Sequence, residues 1–332
     1  MPKAELHLHL EGAIESETVL ELARSHGQDI DPAQLGKMFE YSDFTGFLMC
    51  FRAITQQLQT PGDYELITYR LMERLRRENV LHAEVYVSVG VILYWGRNWH
   101  DIFEGLERGR QRGERDFDVS LYWIADAVRH FGTDACQRVV DEAAKLMDRN
   151  VIGFGIGGDE RRAGPELFGD VYASAARQGL RLTCHAGETV GPESVWGALR
   201  HLGAERIGHG LTAHRDPELM KHLRESQIPV EVSVTSNVRT GCCGSVRDHP
   251  IRQFYDGGLL VTLNTDDPAL FGTTICREYQ VAQDVYGFTD EELEHLAMNS
   301  FRASFLPDGE KRRMLRRFEG RGFRGPEQVR WG

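Results

Sequence analysis

Apolar residues recur along the 332-residue chain as short runs separated by stretches of helical spacing. The runs cover 4–10, 81–89, 120–128, 151–157, 180–185, 206–210, 229–234 and 259–264, ending mostly in polar residues or glycine. Most are too continuously apolar for strands with one wet face, so they predict parallel strands covered on both faces. Between them, 61–78 places Tyr64, Ile67, Leu71 and Leu75 three and four residues apart, on one face of a helix. The stretches 192–202 and 217–225 begin with proline, which suits a first helical turn. Alternating strands and helices imply right-handed crossovers and a parallel sheet. The expected fold class is α/β, a single (β/α)8 TIM-type barrel over 1–332, with an open doubly wound sheet as the alternative. The long first gap predicts a helical insertion over residues 15–78, near the site. More helix is expected at the C-terminus, where Thr289-Asp290-Glu291-Glu292 has capping-box spacing.

Composition narrows the function class. A hydrophobic share of 41% excludes disorder as the main state. The formal net charge of −11 argues against a nucleic-acid surface, which needs clustered Lys and Arg. It leaves small uncharged nucleosides open as partners. No apolar run is long enough for a membrane span, and the first residues lack the apolar core of a signal peptide. Cys50, Cys136, Cys184, Cys242, Cys243 and Cys276 contain no C-x-x-C pair, so reduced thiols and a cytoplasmic location are expected. Lys311, Arg312, Arg313, Arg316, Arg317, Arg321 and Arg324 make a basic C-terminal stretch, read as a solvated face.

In a parallel barrel the C-terminal strand ends carry the chemistry. The first strand ends in His7-Leu8-His9, which puts two imidazoles on one face. They are either metal ligands or hydrogen-bonded core histidines. The fifth ends in His185-Ala186-Gly187-Glu188, where Glu188 either orients His185 or acts as a general acid or base. The sixth carries Gly208-His209-Gly210, equally a site or a turn. The eighth ends in Asn264-Thr265-Asp266-Asp267-Pro268. Its adjacent carboxylates need a cation or a proton between them, or else they cap a helix. Together these ends offer a mixed N/O donor set that suits Zn2+ and leaves a place for water. The H-x-E and P-C-x-x-C signature of cytidine-type deaminases is absent.

These segments, with Pro2 to Gly12, Gly158-Asp159-Glu160 and Thr235-Ser236-Asn237, resemble the adenosine deaminase family of the amidohydrolase superfamily. The resemblance runs over residues 2–268 in the family's order. It implies a metal-dependent aminohydrolase with one Zn2+ per chain, Fe2+ or Mn2+ being alternatives, bound by His7, His9, His185 and Asp266. It implies catalytic roles for Glu188, His209 and Asp266. Protonated Glu188 would donate to purine N1, while Asp266 and His209 would orient the water and take its proton. Gly158 and Asp267 would hold the purine.

Thr265 and Gly208 stand where adenine deaminases of the family typically have Ser and Asp, which favours a nucleoside. Glu11 replaces the Asp that usually meets the ribose 5′-hydroxyl. With Val87-Ser88-Val89-Gly90-Val91, Val232-Ser233-Val234 and Asp126-Ala127-Val128-Arg129, the chain is most similar to the branch that converts 6-amino-6-deoxyfutalosine to futalosine in menaquinone biosynthesis. The alternatives are deamination of adenosine or adenine. Arg129 is the expected partner of that substrate's carboxylate, with Tyr94, Trp95 and Trp99 as apolar contacts. Two other classes compete. A binuclear hydrolase would want a bridging Lys, which 151–158 lacks, and a non-catalytic barrel would lack a ligand or the acid. Oligomeric state is not encoded in these motifs.

Overall fold

The computed structural model describes residues 1–318 and contains one eight-stranded parallel sheet in the order β1 to β8. The strands are β1 (Lys3–His9), β2 (Val80–Val87), β3 (Ser120–Val128), β4 (Val151–Gly157), β5 (Arg181–Ala186), β6 (Arg206–His209), β7 (Val230–Val232) and β8 (Val261–Leu263). The seam closes beyond β8. There Asp266 N donates to His7 O (3.0 Å), and His9 N donates to Asp266 O (2.8 Å). The fold is the (β/α)8 barrel, and the open sheet is excluded.

β1 and β2 are buried at every position, including the polar residues Lys3, Glu5, His7 and His9 of β1 and His82 and Glu84 of β2. β7 and β8 are shorter than the predicted runs. After β7 the chain turns into helix Val234–Arg239. Just past β8, Asn264 still donates its backbone N–H to Val232 O (2.9 Å) and adds its side chain to the seam. Its Oδ1 accepts from Leu6 N (2.9 Å) and His7 N (3.1 Å), pinning β1 to the strand end. Glu5 takes the next residue, accepting from Thr265 N at 2.9 Å. Half of the eighth-strand motif therefore serves closure, and only Asp266 and Asp267 remain for the cavity.

Four α-helices fall between β1 and β2: α1 (Ser16–Ser25), α2 (Pro32–Lys37), α3 (Phe44–Thr55) and α4 (Pro61–Arg77). Thr60 and Asp63 form a capping box that starts α4, and its Tyr64, Ile67, Leu71 and Leu75 are buried as their spacing predicts. At the other end of the barrel, helix Asp290–Ala303 begins at the predicted Thr289–Glu292 box. It seals the seam: Ser300 Oγ accepts from Ala4 N, and Asn299 Nδ2 donates to Val261 O. All six cysteines are free thiols. No helix among the described residues is long and apolar enough to cross a membrane. Of the basic stretch, Arg312, Arg313, Arg316 and Arg317 are exposed, while Arg321 and Arg324 lie outside the described residues.

Candidate active site

The barrel brings the four predicted strand ends to one buried floor. His9 Nε2 lies 3.2 Å from His185 Nε2 and 3.4 Å from Asp266 Oδ1. His7 Nε2 lies 3.5 Å from the same oxygen. His209 Nε2 faces Glu188 Oε2 at 3.8 Å and Asp266 Oδ2 at 3.9 Å. The backbone is strained here. His209 (φ 63°) and Asp266 (φ 66°) both occupy the left-handed region, at a cost of about 1–2 kcal/mol each. Gly208 is required by contact, since a Cβ there would sit 2.7 Å from the His7 ring.

Three of the four rings are held by the far nitrogen, while His9 Nδ1 is buried without a partner among the described residues. His185 Nδ1 donates to Ile156 O (3.1 Å), which leaves Nε2 with its lone pair toward the cluster. His7 Nδ1 donates to Glu231 Oε2 (2.8 Å). Glu231 is in turn ion-paired with Arg206 (2.6 Å), which also pairs with Glu84. This buried ladder was not legible as part of a site, because its members lie inside apolar runs.

His209 is held differently. Asn237 Nδ2 donates to His209 Nδ1 (3.1 Å), Asn237 Oδ1 accepts from His249 Nε2 (3.1 Å), and His249 Nδ1 accepts from Ile251 N (3.2 Å). A backbone N–H thus fixes the sense of the whole chain, and a neutral His209 carries its proton on Nε2. Burial keeps the His209 pKa down, to about 3. His209 Nε2 then faces Glu188 and Asp266 as a donor.

Glu160 is a residue whose role the sequence left unread. It accepts from the backbone N–H groups of Gly187 (2.8 Å), Glu188 (2.8 Å) and Thr189 (2.9 Å), and from the Ser194 hydroxyl (2.5 Å). The loop that carries Glu188 therefore hangs on one buried carboxylate. Burial pushes Glu188 well above the usual carboxylate range, and the charges of Asp266 and Glu160 push the same way. Burial opposes ionisation of Asp266 too. There the close approach of His7 and the neighbouring imidazoles outweigh it and hold Asp266 well below its usual value. Two carboxyls on one floor are thus driven apart in pKa, Glu188 upward and Asp266 downward. Asp267, raised by burial and by Asp266, sides with Glu188.

Above the floor opens a cavity of about 430 Å³, within the usual range for a small-molecule site. α3 forms one wall: Phe44, Phe47, Leu48, Phe51, Arg52 and Thr55 line it at helical spacing. Tyr94, Trp95 and Phe131 form another, with Tyr94 stacked on Phe131 at 4.5 Å. Trp99 does not take part; it is buried against Phe103. Gly158 and Asp267 line the cavity. Glu11 lies behind it, with Oε1 accepting from Ser88 N (2.9 Å).

Arg129 departs from its expected role. It is buried, and its guanidinium donates to Ala163 O (3.0 Å) and His185 O (2.7 Å). β3 ends at Val128, and the 3-10 turn that Arg129 opens carries its side chain away from the cavity, which Asp126 and Val128 line. The cations at the cavity are Arg52 and Arg162, both exposed.

The donor set fits a divalent metal. His7, His185, His209 and Asp266 offer ligand atoms within 4.8 Å of one another, as do His9, Asp266 and Asp267. His7 Nε2 is buried with no hydrogen-bond partner. The 3.2 Å between the His9 and His185 nitrogens is close to the roughly 3.3 Å that two imidazoles take on one tetrahedral ion.

Comparison with known proteins agrees with this geometry. A family model described as adenosine deaminase matches residues 2–320. The chain is 36% identical over 319 residues to an aminodeoxyfutalosine deaminase of Streptomyces avermitilis, covering 95% of this chain and 89% of that protein. It is 32% identical to an adenine deaminase of Rhizobium meliloti over 95% and 97% of the two chains. A crystal structure of an amidohydrolase from Burkholderia ambifaria with bound Zn superposes with a TM-score of 0.89 at 29% identity, over 96% of this chain and 89% of that one.

Proposed function

The chain belongs to the adenosine deaminase family and is a hydrolytic deaminase; we propose that it acts on a 6-aminopurine nucleoside at C6, releasing ammonia. One observation carries this reading: buried Glu188 and Asp266 lie 3.8 and 3.9 Å from His209 Nε2 on the floor of a cavity of about 430 Å³, with the Glu188 pKa pushed up and that of Asp266 held down.

We assign His7, His9, His185 and Asp266 as ligands of one divalent ion, Zn2+ ahead of Fe2+ or Mn2+. When bound, the ion supplies Lewis acidity and makes a water molecule acidic near neutral pH. Glu188 donates its proton to purine N1 and so draws electrons from C6. Asp266 takes one proton from the attacking water. His209 points its Nε2–H at the oxygen that adds to C6. As the C–O bond forms and the C–N bond breaks, the proton held by Asp266 leaves with the amino group as ammonia. The second water proton returns to Glu188. The Gly158 N–H and Asp267 hold the ring, and Glu160 holds the Glu188 loop in place.

Among nucleosides we favour 6-amino-6-deoxyfutalosine, converted to futalosine, a step toward menaquinone. Its 5′ chain ends in a benzoate. The aromatic rim of Tyr94, Trp95 and Phe131 suits the ring, and Arg52 and Arg162 suit the carboxylate. The test compares ammonia release from this nucleoside, adenosine and adenine. Its kcat/KM is expected to be highest. Much faster adenosine turnover would overturn the substrate and keep the reaction class, and adenine as the best substrate would overturn the nucleoside reading.

A further inference from the structure

We propose that Asp126 binds substrate directly: its unpartnered Oδ1 accepts a hydrogen bond from a sugar hydroxyl and makes the enzyme select nucleosides over the free base. This rests on the nucleoside reading above and adds a residue to it.

Asp126 sits at the cavity end of β3 and lines the cavity. Its side chain is buried, at 6% exposure for the residue, and Oδ1 finds no hydrogen-bond partner among the described residues. Backbone alone, with no side chain, stands between that oxygen and the His185 ring. A Cβ built on Gly157 would lie 3.7 Å from Asp126 Oδ1 and 3.4 Å from the His185 ring. Gly157 has no such atom, so Asp126 Oδ1 and the His185 ring flank a stretch of bare backbone.

A second acceptor shares this corner. Glu11 uses Oε1 to hold the Ser88 N–H, while Oε2 is buried without a partner. Ser88 lines the same cavity. After burial, the Glu11 charge is the largest influence raising the Asp126 pKa, which places the two carboxyls within electrical reach of each other. The one arginine nearby in sequence, Arg129, spends its guanidinium on the Ala163 and His185 carbonyls.

Buried acceptors without donors are costly, and a ligand that brings O–H groups removes the cost. On a purine nucleoside those groups are on the sugar. The base itself is taken by Glu188, Gly158 and Asp267. A site built to meet a hydroxyl rejects the analogue that lacks it, because the acceptor is then left unpaired.

The test measures kcat/KM for the metal-loaded wild type, Asp126→Ala and Asp126→Asn. The probes are adenosine, 2′-deoxyadenosine, 3′-deoxyadenosine and adenine, read as turnover or, where turnover is slow, as competitive inhibition. Asp126→Ala is expected to lose about 10- to 100-fold with adenosine, chiefly in KM. It should lose little more with the deoxynucleoside that lacks the bonded hydroxyl, and nothing with adenine. Asp126→Asn, a neutral acceptor of the same shape, should fall between. Metal content and melting temperature of the Asn variant show whether the fold is kept. Equal losses with all three nucleosides, or no loss with adenosine, overturn the proposal. A wild type that turns over adenine while neither using nor binding nucleosides overturns the reading beneath it instead.

Discussion

The floor and the wall of the cavity are built by different means. On the floor, polar groups are held from behind: His7 by Glu231, His185 by a backbone carbonyl, His209 by Asn237, and the Glu188 loop by Glu160. Strained backbone at His209 and Asp266 is fixed there by the sheet. The wall is mostly apolar, carried on helices, and partly uncovered. Met49 is 60% exposed and Tyr94 65% exposed. The difference separates two tasks. Groups that move protons need fixed geometry and tuned charge, and strand ends supply both. Groups that choose among substrates need shape, which a helix stripe supplies. Changes on the floor should therefore act on kcat, and changes on the wall on KM.

The strongest test of the floor is to empty it. Dialysis against a chelator is expected to abolish turnover and lower the melting temperature, since the ion stabilises the state that binds it. Added Zn2+ should restore both. Unchanged activity in verified metal-free protein would sink the floor as described. Next comes Glu188→Gln, which keeps the shape and removes the proton. We expect kcat to fall by about 10³-fold or more with metal content intact. A drop of only a few-fold would remove Glu188 as the acid.

Glu160→Gln probes the support rather than the acid. An amide can no longer accept from all three loop N–H groups, so kcat should fall by about 10- to 100-fold. The sign of the pH effect is fixed as well. The Glu160 charge helps Glu188 keep its proton. Removing that charge lowers the Glu188 pKa, so the acid form is lost sooner as pH rises. The alkaline limb of kcat/KM should move to lower pH, which a purely structural loosening would not produce. A smaller effect is expected from His249→Phe, which removes the donor to Asn237 Oδ1 and frees that amide to rotate. A several-fold loss of kcat at constant KM is expected. Asn237→Ala should not add to it, because both act through one His209 proton. Additive losses would break the chain.

The floor was legible and the wall was not, for physical reasons. Polar residues at the ends of apolar runs are conspicuous, and His7, His185, His209 and Asp266 all stand out that way. Cavity-lining Phe44, Phe47 and Phe51 look like any core-facing helix stripe, because an apolar side chain is the same whether it meets protein or ligand. Arg129 falls one residue past the end of β3, in a 3-10 turn that the apolar run does not announce, and it spends its guanidinium on the Ala163 and His185 carbonyls. The donor role of His209 depends on Asn237 and His249, which touch only after folding. The short β7 follows from the chain turning into a helix at Val234.

The wall itself is sharpened by its two arginines. Arg52 and Arg162 are exposed at the cavity, so each contact with a substrate carboxylate is screened by water and salt. Arg52→Ala and Arg162→Ala should therefore each raise KM for the benzoate-bearing nucleoside by only about 3- to 5-fold. The loss should shrink as ionic strength rises, and kcat should stay the same. Adenosine, which has no carboxylate, should show neither effect. Equal KM changes for both nucleosides would mean that these side chains shape the wall without reading charge. A fall in kcat would mean that the wall reaches the floor, and the division of labour would fail.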